Sequence, residues 1–177
     1  MERQLSSSQK YSGRVVSLRV DNVEKPGGKT TTREVVEHGD CIAVIPVDQD
    51  GNVLLVQQFR YPVGCSLLEI PAGGIDAGED PVDSVKRELQ EEIGYIPATI
   101  EGLGGFYSAP GYSTEYLYTY LATDLSPSRL VAEDTDEIEV LRVPLSDIPA
   151  LIYSRQICDS KSIAALLFYM TRERLLR

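Results

Sequence analysis

The chain has no tryptophan, a single histidine and only three cysteines among its 177 residues. The lone His38 excludes a histidine-rich metal site and argues against a Ser–His nucleophile pair. Cys41, Cys65 and Cys158 are odd in number and scattered, with no C-x-x-C. They suggest neither a disulfide framework nor a thiolate zinc site, and buried free thiols in a reducing cytoplasm are expected. No apolar run approaches the roughly 20 residues that span a bilayer. The opening MERQLSSSQKYSG lacks the apolar core of a signal peptide and reads as polar and frayed. Positive charge is also scarce: 17 Lys and Arg stand against 27 Asp and Glu, a net charge of −10. Such a surface disfavours nucleic acid, whose binding depends on basic residues neutralising phosphates. A small anionic substrate remains compatible, because a bound divalent cation inverts the local field. The length suits one domain with a substantial core.

What the chain does have is concentrated between Gly73 and Tyr95, GGIDAGEDPVDSVKRELQEEIGY. A glycine-led loop is followed by Glu79, Arg87, Glu88, Glu91 and Glu92 and closed by Gly94. Matching seven such positions by chance has odds of about one in 10⁸ per register. Asp80 is placed to cap a helix and Pro81 to open it. Gly94 suits its end, and Pro97 follows. Val82, Val85, Leu89 and Ile93 recur at helical spacing as a core stripe. Glu88 and Glu92 lie one turn apart on one face, flanking that stripe. Two stacked carboxylates repel unless a cation lies between them. Oxygen donors without nearby Cys or His suit Mg²⁺, Mn²⁺ or Ca²⁺.

The pattern resembles the Nudix box, G-x₅-E-x₇-R-E-U-x-E-E-x-G-U, where U is a bulky apolar residue. Gly73, Glu79, Arg87, Glu88, Leu89, Glu91, Glu92 and Gly94 all match, and Tyr95 fills the last apolar place with an aromatic. The resemblance implies hydrolysis of a nucleoside diphosphate linked to another moiety. It assigns Glu88 and Glu92 to the metal, Glu91 to a further ligand or water-orienting role, and Arg87 with Glu79 to holding loop and helix together. It also implies the Nudix fold, an α/β/α sandwich with a mixed sheet.

Strand and turn signals extend that expectation. Residues 13–20 and 31–39 read as an N-terminal hairpin turned at EKPGGKT, an extension (residues 1–40) ahead of a Nudix domain (41–177). CIAVIPV (41–47) reads as a buried strand with VLLVQQF (53–59) as its partner. LLEI, TIEGLGGFY, TEYLYTYLATDL and DEIEVLRV supply further strands. SDIPALIYS and DSKSIAALLFYMTRERLL read as helices, the second capped by Asp159 or Ser160.

Three segments outside the box resemble the ADP-ribose pyrophosphatase branch. In QQFRYPVG…LLEIPAGG, Arg60 would bind phosphate through its guanidinium fork. Glu69 would bond a base or ribose edge, and Ala72 would offer its carbonyl to the metal. In FYSAPGYSTE, Pro110 lies sixteen residues beyond Gly94, and Glu115 would position a water or a ribose hydroxyl. In VAEDTDEIEV, a carboxylate would deprotonate the attacking water. Aspartates occupy the positions where glutamate is expected, so Asp136 is the first candidate and Glu137 the second. With no tryptophan, Tyr61, Tyr107 or Tyr112 would have to stack an adenine. The expected activity is Mg²⁺-dependent hydrolysis of ADP-ribose to AMP and ribose 5-phosphate, with Mn²⁺ as the other metal. The alternatives are another nucleoside diphosphate derivative, or a non-catalytic ligand-binding regulator. The resemblance further implies a cytoplasmic homodimer joined through its N-terminal strands, acting on a small molecule.

Overall fold

The computed structural model describes residues 1–132 and 137–176. The chain divides into two compact units, one comprising residues 1–40 and 106–116 and the other Cys41–Gly105 with Leu117 onward.

The first unit is a three-stranded antiparallel sheet of β1 (Arg3–Ser12), β2 (Val16–Glu24) and β3 (Thr30–His38), in that order. The expected hairpin is β2 with β3, paired from Val16 opposite His38 to Glu24 opposite Thr30. The opening segment is not frayed but adds a third strand. Its Ser- and Gln-rich run pairs through backbone groups and a few polar side-chain bonds, such as Arg3 to Glu24, so every residue of β1 stays exposed and no apolar periodicity marks it. The 106–116 segment lies along β3, where Val36 donates to the Tyr112 carbonyl at 2.7 Å and accepts from Thr114 at 3.0 Å.

The second unit contains two sheets. One runs β7 (Ala72–Gly74), β4 (Cys41–Pro46), β9 (Tyr116–Pro127) and β8 (Tyr95–Tyr107), with β4 parallel to β9 and antiparallel to β7. The other runs β10 (Glu139–Pro144), β5 (Asn52–Arg60) and β6 (Cys65–Glu69), all antiparallel. The expected pairing of β4 with β5 is therefore wrong; only a single bridge, Val47 to Val53, joins the two stretches. A tight turn between two apolar runs reads as a hairpin, yet here it passes the chain from one sheet to the other.

β4 is buried along its whole length. Both α1 (Pro81–Glu92) and α3 (Ser160–Arg172) pack on it. A strand covered on both faces has no reason to alternate, which is why CIAVIP reads as an unbroken apolar run. Ile42 and Val44 join Leu54, Val56 and Ala122 around the α1 stripe Val85, Leu89 and Ile93. Val82 does not belong to that stripe: it sits in the first helical turn and is 36% exposed. The α1 signals otherwise hold. Asp80 accepts from Val82 N at 2.8 Å, and Gly94 takes the left-handed φ of 75° that ends the helix. α3 is capped by Asp159, which accepts from Ser162 N at 3.1 Å. Between them, α2 (Ile148–Tyr153) follows a 3₁₀ turn at Leu145–Asp147. Cys41 is buried as expected, but Cys65 and Cys158 are exposed.

Candidate active site

Burial of two carboxylates is the defining feature of α1. Glu88 is 9% exposed and Glu92 6%. Burial is the first cause that pushes the Glu92 carboxyl up, to about 8, and the neighbouring Glu88 charge adds to it. Among the described residues it accepts one hydrogen bond, from Ala72 N at 3.2 Å. Glu88 is raised by burial too, although Arg87 Nη1 donates to it at 2.6 Å. A stacked acidic pair held in low dielectric with so little compensation fits a hard divalent cation, and its all-oxygen donors match that chemistry.

The loop before α1 is built around the pair. A Cβ on Gly73 would overlap the Glu88 carboxyl group, so only glycine lets β7 approach this closely. Arg87 ties the loop to the helix. Its Nε and Nη2 donate to Glu79 at 3.0 and 2.9 Å, and Nη2 also reaches the Gly74 carbonyl at 2.9 Å. Glu79 further accepts from Ser84 Oγ at 2.6 Å and Asp76 N at 3.1 Å. The Arg87 bonds are the first cause holding the Glu79 carboxyl down at about 2. Glu91 lies 3.5 Å from Arg87 Nη1.

A second charged cluster sits on β5, β6 and α3. Glu69 is 1% exposed, and Arg60 Nε and Nη2 both donate to it, Nη2 at 2.6 Å. Lys161 Nζ donates to the same carboxylate and, at 3.0 Å, to Asp159. Burial pushes Glu69 up, but the Arg60 bond and the Lys161 charge outweigh it and leave the group below the usual range. The charges of Arg60 and Lys161 are also felt at Glu92.

A family model of the NUDIX domain matches residues 37–166. The chain belongs to the Nudix family. It is 38% identical to the ADP-ribose pyrophosphatase of Bacillus subtilis (strain 168), over 98% of this chain and 95% of that protein. It is equally similar, with the same coverage, to the methanol dehydrogenase activator of Bacillus methanolicus. A crystal structure titled as an ADP compounds hydrolase superposes with a TM-score of 0.88 at 21% identity, covering 98% of this chain and 94% of that one, and so supports the Nudix fold. With its box glutamates in place the chain is a Nudix enzyme, and Nudix enzymes generally work with divalent metal ions. No helix among the described residues is long and apolar enough to cross a membrane.

The Nudix box residues and the Arg60–Glu69 pair all lie in the second unit. There Ala72, Glu88 and Glu92 are brought together, with Glu91 linked to them through Arg87. Glu69 is not open to solvent; its carboxylate is occupied by two cations, so a bond to a base or ribose edge would require displacing one of them. Pro110 and Glu115 lie in the 106–116 segment of the first unit, where Glu115 accepts from Ser108 Oγ and stands 3.7 Å from His38 Nδ1. Glu137 is exposed in a turn, and Asp136 lies outside the described residues. Sequence reasoning missed Lys161. A signal was present, since a lysine in the first turn of a helix opposes the dipole and needs a nearby anion.

Proposed function

We propose that the chain hydrolyses the diphosphate of ADP-ribose, releasing AMP and ribose 5-phosphate. The chemistry rests on one observation: the buried Glu88–Glu92 pair, in which Arg87 bonds Glu88 but, among the described residues, no cation bonds Glu92. The substrate rests on near-full-length similarity to an ADP-ribose pyrophosphatase. Glu88, Glu92 and the Ala72 carbonyl would hold Mg²⁺, with Mn²⁺ as the alternative ion and Glu91 as an added ligand or water-orienting group. The ion supplies charge neutralisation at the phosphoryl oxygens and a lower pKa for attacking water.

The protein's own part is placement. Arg60 offers its guanidinium to a phosphate oxygen, and Glu69 is the carboxylate that holds it when no such anion is bound. Pro110 shapes the ribose side, and Glu115 positions a hydroxyl or water there. A carboxylate of the acidic loop, Asp136 first and Glu137 second, takes the proton from the attacking water. Residues 1–40 form an extension that pairs two copies into a homodimer in the cytoplasm, and 41–177 form the hydrolase domain. The test is AMP release from ADP-ribose with Mg²⁺; a wild-type protein that releases none ends the substrate assignment.

A second reading is favoured by the relative named as a methanol dehydrogenase activator. In it the chain alters the activity of another enzyme. Adding the chain to a methanol dehydrogenase assay tests this directly, and an unchanged rate removes it.

A further inference from the structure

The cluster around Glu69 contains one more cation than the carboxylate needs for orientation alone. Arg60 already embraces Glu69 through Nε and Nη2, while its Nη1 has no partner among the described residues and its side chain is 35% exposed. Lys161 reaches the same carboxylate from α3 and is only 16% exposed. Its other partner, Asp159, is the α3 cap, and the second oxygen of Asp159 is buried with no partner among the described residues. Arg60 is thus the outward, more exposed cation and Lys161 the inward, more buried one. If Arg60 turned from Glu69 with no other cation present, it would leave an unpaired buried carboxylate, which is strongly unfavourable.

We propose that Lys161 is a positioning residue that holds Glu69 paired from the α3 side, freeing the Arg60 guanidinium to turn toward an anionic diphosphate. This rests on the proposed function for the identity of the anion. The geometry explains why a lysine stands in the first turn of α3, against the dipole. It also explains why a point charge suffices there: Lys161 has to balance the Glu69 and Asp159 carboxylates, whereas Arg60 must present a fork to phosphate.

The test measures calorimetric binding of ADP with Mg²⁺, alongside ADP-ribose turnover, for the wild type, Lys161→Met, Lys161→Arg, Glu69→Gln and the double variant Lys161→Met/Glu69→Gln. Lys161→Met is expected to weaken ADP binding about tenfold or more, the loss of one charged hydrogen bond. KM should rise more than kcat falls. Lys161→Arg should restore binding. The double variant should bind ADP better than Lys161→Met and within about twofold of Glu69→Gln, because with Glu69 neutral there is no charged carboxylate bonded to Arg60, and Lys161 pairs Asp159 alone. A purely structural lysine would lower the melting temperature without this pattern. ADP binding by Lys161→Met equal to wild type overturns the proposal, as does a further loss on adding Lys161→Met to Glu69→Gln. That last comparison decides the matter even if Lys161→Met alone does not fold. A wild type that binds ADP but leaves ADP-ribose intact overturns the substrate assignment while the binding series still judges Lys161. A wild type that hydrolyses ADP-ribose but binds no ADP overturns the Lys161 proposal alone, and one that does neither overturns both.

Discussion

Replacing Glu92 by glutamine separates what the buried carboxylate does for stability from what it does for catalysis. In the unfolded chain this group titrates near 4.5, and in the folded protein burial and Glu88 hold its proton until about 8. For a carboxylate raised in this way, stability is fully present below 4.5 and is lost as pH rises toward 8. At about 1.4 kcal/mol per pH unit the whole interval amounts to about 5 kcal/mol, and the span from pH 5 to 7.5 to about 3 kcal/mol. That is a large share of the 5–15 kcal/mol typical of a domain. Glutamine keeps the shape and the Ala72 bond but has no charge to bury. In urea titrations with chelator present, the wild type should therefore lose about 3 kcal/mol relative to Glu92→Gln between pH 5 and 7.5. Adding Mg²⁺ at pH 7.5 should restore the wild type and leave the variant unmoved. Parallel pH profiles for the two proteins, or a wild type that gains on the variant as pH rises, would refute the burial argument.

Other perturbations follow from the same contacts. Gly73→Ala should cost about 1–3 kcal/mol in a melt and lower activity, because its Cβ meets the Glu88 carboxyl and β7 or α1 must shift. Arg87→Ala should cost about 2–3 kcal/mol by freeing the half-buried Glu79 and the Gly74 carbonyl together, measured by urea unfolding at neutral pH. Glu79→Gln should flatten the acid limb of stability, since Glu79 contributes above pH 4.5 and that contribution fades as pH falls toward about 2. Ser162→Ala should cost about 1–3 kcal/mol, because Ser162 Oγ satisfies the buried Ile70 N–H at 2.8 Å.

Local signals made α1 legible down to its caps: Asp80, Pro81 and Gly94 each act through backbone chemistry within a few residues. The carboxylate pair was equally legible, because helical periodicity alone stacks Glu88 on Glu92. Residues that meet across the fold were not. The cation Lys161 lies 92 positions from Glu69, and no periodicity reports such a distance. The partners of β4 were misread for a similar reason, since a turn signal says that two runs are joined but not that they enter different sheets. β1 escaped notice because a strand held by backbone and polar side-chain bonds, with every residue exposed, leaves no apolar trace. The surroundings of Glu69 were not legible either: its burial and its bond to Lys161 depend on packing that no local pattern reports.

The most direct measurement is AMP release from ADP-ribose by the wild type, Glu88→Gln and Glu92→Gln, with Mg²⁺ and then with chelator. AMP and ribose 5-phosphate are expected in equal amounts from the wild type, with none under chelator, and both variants should lose rate severely despite folds at least as stable. Undiminished turnover by either variant, or no AMP from the wild type, would contradict it.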